Sequence, residues 1–133
     1  MRYLLIIFCA LLSQPSDAGS LYLGGWSHHF VDDITNETHE LVAIEYQNVI
    51  VGTAINSYAR RAYFVGGDFS TVKYHLEWGV IAGLMTGYRD DEHPLIVGSI
   101  SPMALVYVTP DWPVSPTLAI APKFAMLTFK VRW

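Results

Sequence analysis

The stretch FAMLTFKVRW, residues 124–133, sorts its side chains onto two faces, with Ala125, Leu127, Phe129, Val131 and Trp133 on one and Thr128, Lys130 and Arg132 on the other. Successive side chains of a strand point to opposite faces, so this two-residue period predicts a strand that is apolar on one side and polar on the other. The same period recurs back through the chain. It predicts strands at about 21–30, 39–46, 49–57, 61–70, 76–88, 95–108, 115–121 and 124–133. Between them lie Gln47-Asn48, read as a tight hairpin turn, and the polar or proline-bearing breaks 57–60, 71–75, 89–94, 109–114 and 122–123.

Composition says which side faces what. The chain is 52% hydrophobic and 14% aromatic but only 15% charged, against about 25% charged in ordinary soluble domains. Something other than water must cover such a surface. Residues 1–18 read as a cleaved export signal: Arg2 supplies the basic start, residues 3–12 the apolar stretch, and Ser16-Asp17-Ala18 the small-x-small cleavage site. The apolar stretch is too short for a membrane helix, which takes roughly 20 residues. The sole cysteine, Cys9, leaves with the signal, and a disulfide scaffold is thereby excluded. A net charge of -4 and the lack of any basic run argue against nucleic acid as a partner. The aromatic last residue resembles the ending of bacterial outer-membrane barrels, and eight is the smallest even strand number such barrels use. The expectation is therefore an all-β protein, a single-domain, eight-stranded antiparallel transmembrane β-barrel spanning residues 19–133 in the bacterial cell outer membrane.

In such a barrel both termini lie at the periplasmic end, which orients every strand. Val42, Ile44, Tyr46, Tyr63, Val65, Phe69, Leu76, Trp78, Val80, Ala82 and Leu84 are expected to face lipid. Glu45, Asp68 and Glu77 then point inward near the periplasmic end, where Lys130 and Arg132 also point inward, predicting a paired plug of charge. Higher up, Leu41, Ala43, Ile81, Gly83, Met85 and Gly87 are expected to line the interior. Small inward residues leave space, so either a blind apolar cavity fit for an acyl chain or filling by neighbouring aromatics follows.

Polar residues gather at the outer rim: Ser27-His28-His29 on strand one, Asn56-Ser57 on strand three, and Arg89-Asp90-Asp91-Glu92-His93 after strand five. Imidazole beside a hydroxyl is the minimum for activating a nucleophile by general-base catalysis. The alternation that turns Trp26 and Phe30 to lipid turns Ser27 and His29 inward. Asn56 and Ser57 cannot both face inward unless the strand has ended or bulged there. No metal site is expected, because zinc takes three or four ligands and the mature chain has no cysteine. Asn36-Glu37-Thr38 has the form of a glycosylation sequon, without consequence in a bacterial outer-membrane protein.

Several short motifs, in order, resemble the lipid A palmitoyltransferase (PagP) family of eight-stranded outer-membrane barrels. They are Trp26-Ser27-His28-His29-Phe30, Asn36-Glu37, Asn56-Ser57-Tyr58, Pro102-Met103-Ala104 with Val106 and Tyr107, the apolar run to Pro122, and the aromatic C-terminus. The resemblance implies an enzyme moving a fatty acyl chain from a phospholipid to lipid A or a related lipid. It implies His29, with His28 as the lesser candidate, as the base, Ser57 as the partner hydroxyl, and Asn56 where the family has an aspartate. The chain departs from the family in that asparagine and in the missing N-terminal amphipathic helix. Pro94, Pro102, Pro116 and Pro122 cluster around strands six and seven, where each removes a ladder donor and so could weaken the seam into a lateral gate.

Two other classes stay open at this point: a non-catalytic outer-membrane barrel that binds lipid or masks the cell surface, and a soluble lipocalin-like carrier. No cofactor is called for. The expected partners are membrane lipids, both phospholipid and lipid A, and the outer-membrane insertion machinery, with the barrel itself a monomer.

Overall fold

A computed structural model describes residues 19–133 apart from 33, 90 and 92–94. The expected export signal, residues 1–18, lies outside the described residues, as do Asp90, Glu92, His93 and Pro94 of the acidic loop. The chain is all-β, a closed antiparallel barrel in which each strand pairs with its neighbours and the last returns to the first. Its strands are β1 (Ser20–His29), β2 (Thr38–Tyr46), β3 (Val49–Ile55), β4 (Arg61–Lys73), β5 (Leu76–Thr86), β6 (Ile100–Pro110), β7 (Val114–Ala121) and β8 (Phe124–Arg132). We call the end carrying the termini the lower end and the opposite end the upper rim.

Local chemistry accounts for most of the boundaries. Gln47 and Asn48 both adopt positive φ, 49° and 64°, as the two-residue turn that matches strand twist requires. Tyr74 and His75 do the same at 56° and 61°, so the break expected at 71–75 shrinks to two residues and β4 runs on to Lys73. The largest departure is β6, expected from residue 95. β5 pairs with β6 continuously from Leu76↔Pro110 to Thr86↔Ile100, so the ladder with β5 begins only at Ile100. The apolar run Leu95-Ile96-Val97 belongs to the connection, where Val97 bridges back to Ile100. β3 likewise ends at Ile55, two residues before expectation.

The faces follow the expected parity. Val42, Ile44, Tyr46, Tyr63, Val65, Phe69, Trp78, Val80 and Leu84 are all exposed. The buried apolar set is Tyr22, Leu41, Ala43, Ile50, Ile81, Tyr107 and Ala119. The grease is thus mainly on the outside. Tyr46, Tyr74 and Trp112 stand exposed toward the lower end, and Trp26, Phe30 and Tyr63 toward the rim, the arrangement of aromatic girdles flanking an apolar band. Such a barrel fits an outer-membrane protein.

Two irregularities shape the rim. β1 carries an extra residue against β8 between Leu23 and Trp26, where Gly24 and Gly25 take φ of 88° and 116°. This bulge resets the alternation, so that Tyr22 below it and Ser27 and His29 above it all face inward. The other irregularity is the β6–β7 seam, paired only at Val106↔Ile120, Tyr107↔Ala119 and Val108↔Leu118. Below these pairs the Thr109 hydroxyl donates to the Pro116 carbonyl at 3.1 Å and the Thr117 hydroxyl donates to Thr109 at 2.9 Å, side chains closing what proline leaves open. Above them, β6 from Ile100 to Leu105 has no ladder partner on β7.

Candidate functional site

The lower interior is filled. Lys130, 2% exposed, places Nζ 2.8 Å from Glu77 and 3.9 Å from Glu45, and Arg132 holds the other oxygen of Glu77. The Tyr107 hydroxyl lies 2.7 and 2.8 Å from the two Asp68 oxygens and 2.8 Å from Glu77, while Tyr22 donates to Glu45 at 3.1 Å. Lys130 also sits over both tyrosine rings, 5.2 and 5.5 Å from their centroids. Among the described residues no buried side-chain nitrogen or oxygen lacks a partner. This is the expected paired plug, with two tyrosines added as its lid.

Above the tyrosines a cavity of about 420 Å³ reaches the rim, within the range of roughly 300–1,000 Å³ typical of small-molecule sites. Its floor is Tyr22 and Tyr107, and its mouth is formed by His29, Ser57, Pro122 and Lys123. Leu41, Ala43, Ile81 and Met85 line it as expected. Gly83 and Gly87 do not, and their expected role is corrected. A side chain at Gly83 would run into the Val65 carbonyl and Gly66, so this glycine permits close approach of β4 and β5 rather than opening space. Gly87, at φ 98°, lies past the end of β5, where its carbonyl is an anchor for the rim. A third inward glycine, Gly79, is covered by the Tyr107 ring, 2.6 Å from where a Cβ would stand. Room comes instead from alanines at inward positions, Ala43, Ala54, Ala62 and Ala119.

At the mouth the structure joins two of the three expected site residues. His29 Nε2 stands 2.7 Å from Ser57 Oγ, and both residues are buried. His28 is exposed on the outer face. Because β3 ends at Ile55, Asn56 and Ser57 both turn inward without a strand to forbid it. Asn56 does not join them: its Nδ2 donates to the Gly87 carbonyl at 2.7 Å, and its Oδ1 accepts from the N–H groups of Tyr58 and Arg60 at 3.0 and 3.1 Å. Its amide is spent building the turn that presents Ser57, which corrects its expected place beside the base.

The third group at the base is Glu37. Its Oε1 accepts from the His29 backbone N–H at 3.0 Å and lies 3.4 Å from His29 Nδ1. The hydrogen bond from that backbone N–H, first of all, holds the Glu37 carboxyl below its ordinary value. The loop carrying Glu37 is pinned by the Ser57 carbonyl, which accepts from the backbone N–H groups of Thr35 and Asn36, both at 3.1 Å. Two more residues complete the cluster. Ser27 Oγ lies 3.3 Å from His29 Nδ1 and 2.6 Å from His39 Nε2, and His39 Nδ1 lies 2.7 Å from the Ile55 carbonyl. Tyr88 hydrogen-bonds Ser57, and burial pushes its phenol up.

His39 was legible in the sequence, since it shares strand parity with inward Leu41 at the upper end of β2. Glu37 carried no such signal: it lies in a loop, and only the fold brings that loop over β1. Among the described residues no group of three metal-ligating side chains is close enough to hold a metal ion.

Comparison with protein-family models, curated proteins and solved structures gives no match.

Proposed function

We propose that the protein is an outer-membrane acyltransferase that draws one acyl chain of a phospholipid into the upper barrel and transfers it to lipid A or a related lipid. The observation that carries this reading is the 2.7 Å contact of His29 Nε2 with Ser57 Oγ at the mouth of an apolar cavity closed below by Tyr22 and Tyr107. An ester whose hydrocarbon tail fills that cavity leaves its carbonyl at the rim, beside a hydroxyl and its base. Proximity of this kind converts a bimolecular reaction into an effectively unimolecular one.

The surroundings support the same reading. The exposed apolar band suits the hydrocarbon of a membrane, and it would put the rim near one leaflet. The unpaired upper stretch of the β6–β7 seam, beside Pro102 and Pro122, offers lipid a sideways path into the cavity, so that no acyl chain need cross the water above the rim. The motif resemblance to lipid A palmitoyltransferases points the same way.

The test is mass spectrometry of lipid A from bacteria expressing the wild type or His29→Ala, with membrane fractionation of both. Acyl mass added to lipid A by the wild type and lost in the variant is expected. Wild-type protein found in the outer membrane with unaltered lipid A would overturn the enzymatic reading in favour of a barrel that only binds lipid.

A further inference from the structure

Between rim and cavity wall, four side chains and one carbonyl touch in series. Ser57 Oγ meets His29 Nε2 at 2.7 Å, His29 Nδ1 meets Ser27 Oγ at 3.3 Å, Ser27 Oγ meets His39 Nε2 at 2.6 Å, and His39 Nδ1 meets the Ile55 carbonyl at 2.7 Å. The positions of the protons follow from one end. A carbonyl oxygen only accepts, so His39 carries a proton on Nδ1. The His39 ring is buried, and its contacts are Ser27, the Ile55 carbonyl and the rings of His29 and Phe124. With no carboxylate against it, a buried imidazolium is disfavoured, and Nε2 is bare. Ser27 therefore donates its proton to His39 and turns a lone pair toward His29. His29 keeps its own proton on Nδ1, between Ser27 and Glu37. Its Nε2 lone pair then faces Ser57, whose proton points at it.

We propose that the Ile55 carbonyl, acting through His39 and Ser27, sets the direction of this chain, making Ser57 a covalent nucleophile and His39 a positioning residue for its base. The inference rests on reading the rim as an acyl-transfer site and adds the mechanism. Ser57 Oγ bonds to the carbonyl carbon of the donor ester while its proton passes to His29 Nε2. The imidazolium returns that proton to the lyso-lipid oxygen as the carbon–oxygen bond breaks, leaving an acyl ester on Ser57 and a neutral His29. An acceptor hydroxyl then attacks the same carbon, gives its proton to Nε2, and Ser57 Oγ recovers it on release. Glu37, held in its anionic form, faces the imidazolium each time it forms. Tyr88 is a further hydrogen-bond partner of Ser57.

The chain can be read without any lipid acceptor, by incubating the folded barrel in detergent with an alkyl fluorophosphonate and following adduct formation by intact mass. Wild type should gain one adduct, mapped to Ser57 and absent in Ser57→Ala. His39→Phe should label about 100-fold more slowly while retaining heat-modifiable gel migration. His39→Gln, whose amide can both donate and accept, should recover about tenfold or more of that loss. Should His39→Phe lose the folded migration, Ser27→Ala cuts the same chain by removing one oxygen and should label about tenfold more slowly. An unlabelled wild-type Ser57, wild-type labelling in the folded variant that cuts the chain, or no recovery with glutamine overturns the proposal. Labelled Ser57 with no acyl gain on lipid A would overturn the acyltransferase reading alone, and acyl gain with Ser57 unlabelled would overturn this relay alone.

Discussion

The two halves of the barrel interior are built from the same strands yet do opposite things with their polar groups. In the lower half, tyrosine, lysine and arginine side chains reach across the lumen and saturate the carboxylates of Glu45, Asp68 and Glu77. In the upper half, alanines stand at inward positions, the lumen stays open, and the linked serine and histidine side chains occupy one arc of the rim. The difference teaches that side-chain reach, with the parity held constant, decides whether a small barrel is plugged or hollow. It also predicts a division of labour, with stability residing mostly below and chemistry above.

His29→Ala is the sharpest test of that division. Transfer should fall by about 10²- to 10⁴-fold, the usual worth of a general base, while the urea unfolding midpoint moves little. Glu77→Ala should do the reverse. It removes the carboxylate that Lys130 and Arg132 share in the lower barrel, and losing one partner of a buried ion pair costs about 3–5 kcal/mol, less whatever Glu45 takes over from Lys130. Equilibrium unfolding in detergent reads the loss, and transfer per folded molecule should stay near wild type. A Glu77→Ala barrel as stable as wild type but catalytically dead would break the comparison.

Asn56→Asp probes the boundary between the halves' roles. If position 56 lacked only a negative charge, aspartate would raise activity. The structure predicts a loss, because a carboxylate there faces the Gly87 carbonyl and forfeits the Nδ2 bond, worth about 0.5–1.5 kcal/mol where the carbonyl keeps a second donor, here Arg60 Nε. Unfolding curves and transfer rates should decline together. Ala119→Leu is milder: filling cavity should shift the preferred donor to shorter acyl chains, seen by lipid mass spectrometry, with stability nearly unchanged.

The smallest effect concerns Glu37 and pH. Its carboxyl is lowered in the folded protein, chiefly by the His29 backbone N–H. The contribution to stability is therefore present above the ordinary carboxylate value and lost as pH falls through the lowered one. Glu37→Gln should flatten the acid limb of a melting-temperature profile in that window alone. A flattening at neutral pH would assign the effect to another group.

Much of this was legible beforehand, for reasons specific to particular residues. Ala125 to Trp133 alternate as a strand must, and from that alternation came the outward placement of Tyr63 and Trp78, the inward placement of Glu77 and Lys130, and the choice of His29 over His28. Expectation failed where a residue's neighbour lies on another strand. Gly83 reads as space, but β4 presses on it. Leu95 to Val97 read as strand, but β5 has already ended beside them. Asn56 reads as a weakened aspartate, but its amide is consumed by Gly87 and the turn.

Parity, strand number and the apolar outer band were determined by the amino-acid sequence itself, because the direction of a side chain from a strand is a local property of backbone geometry. Which inward residues meet was decided only by the closed barrel. Register accumulates from strand to strand around the circumference, and it alone brings Glu37, Ser27, His29, His39 and Ser57, drawn from the tops of three strands and their loops, into one hydrogen-bonded arc.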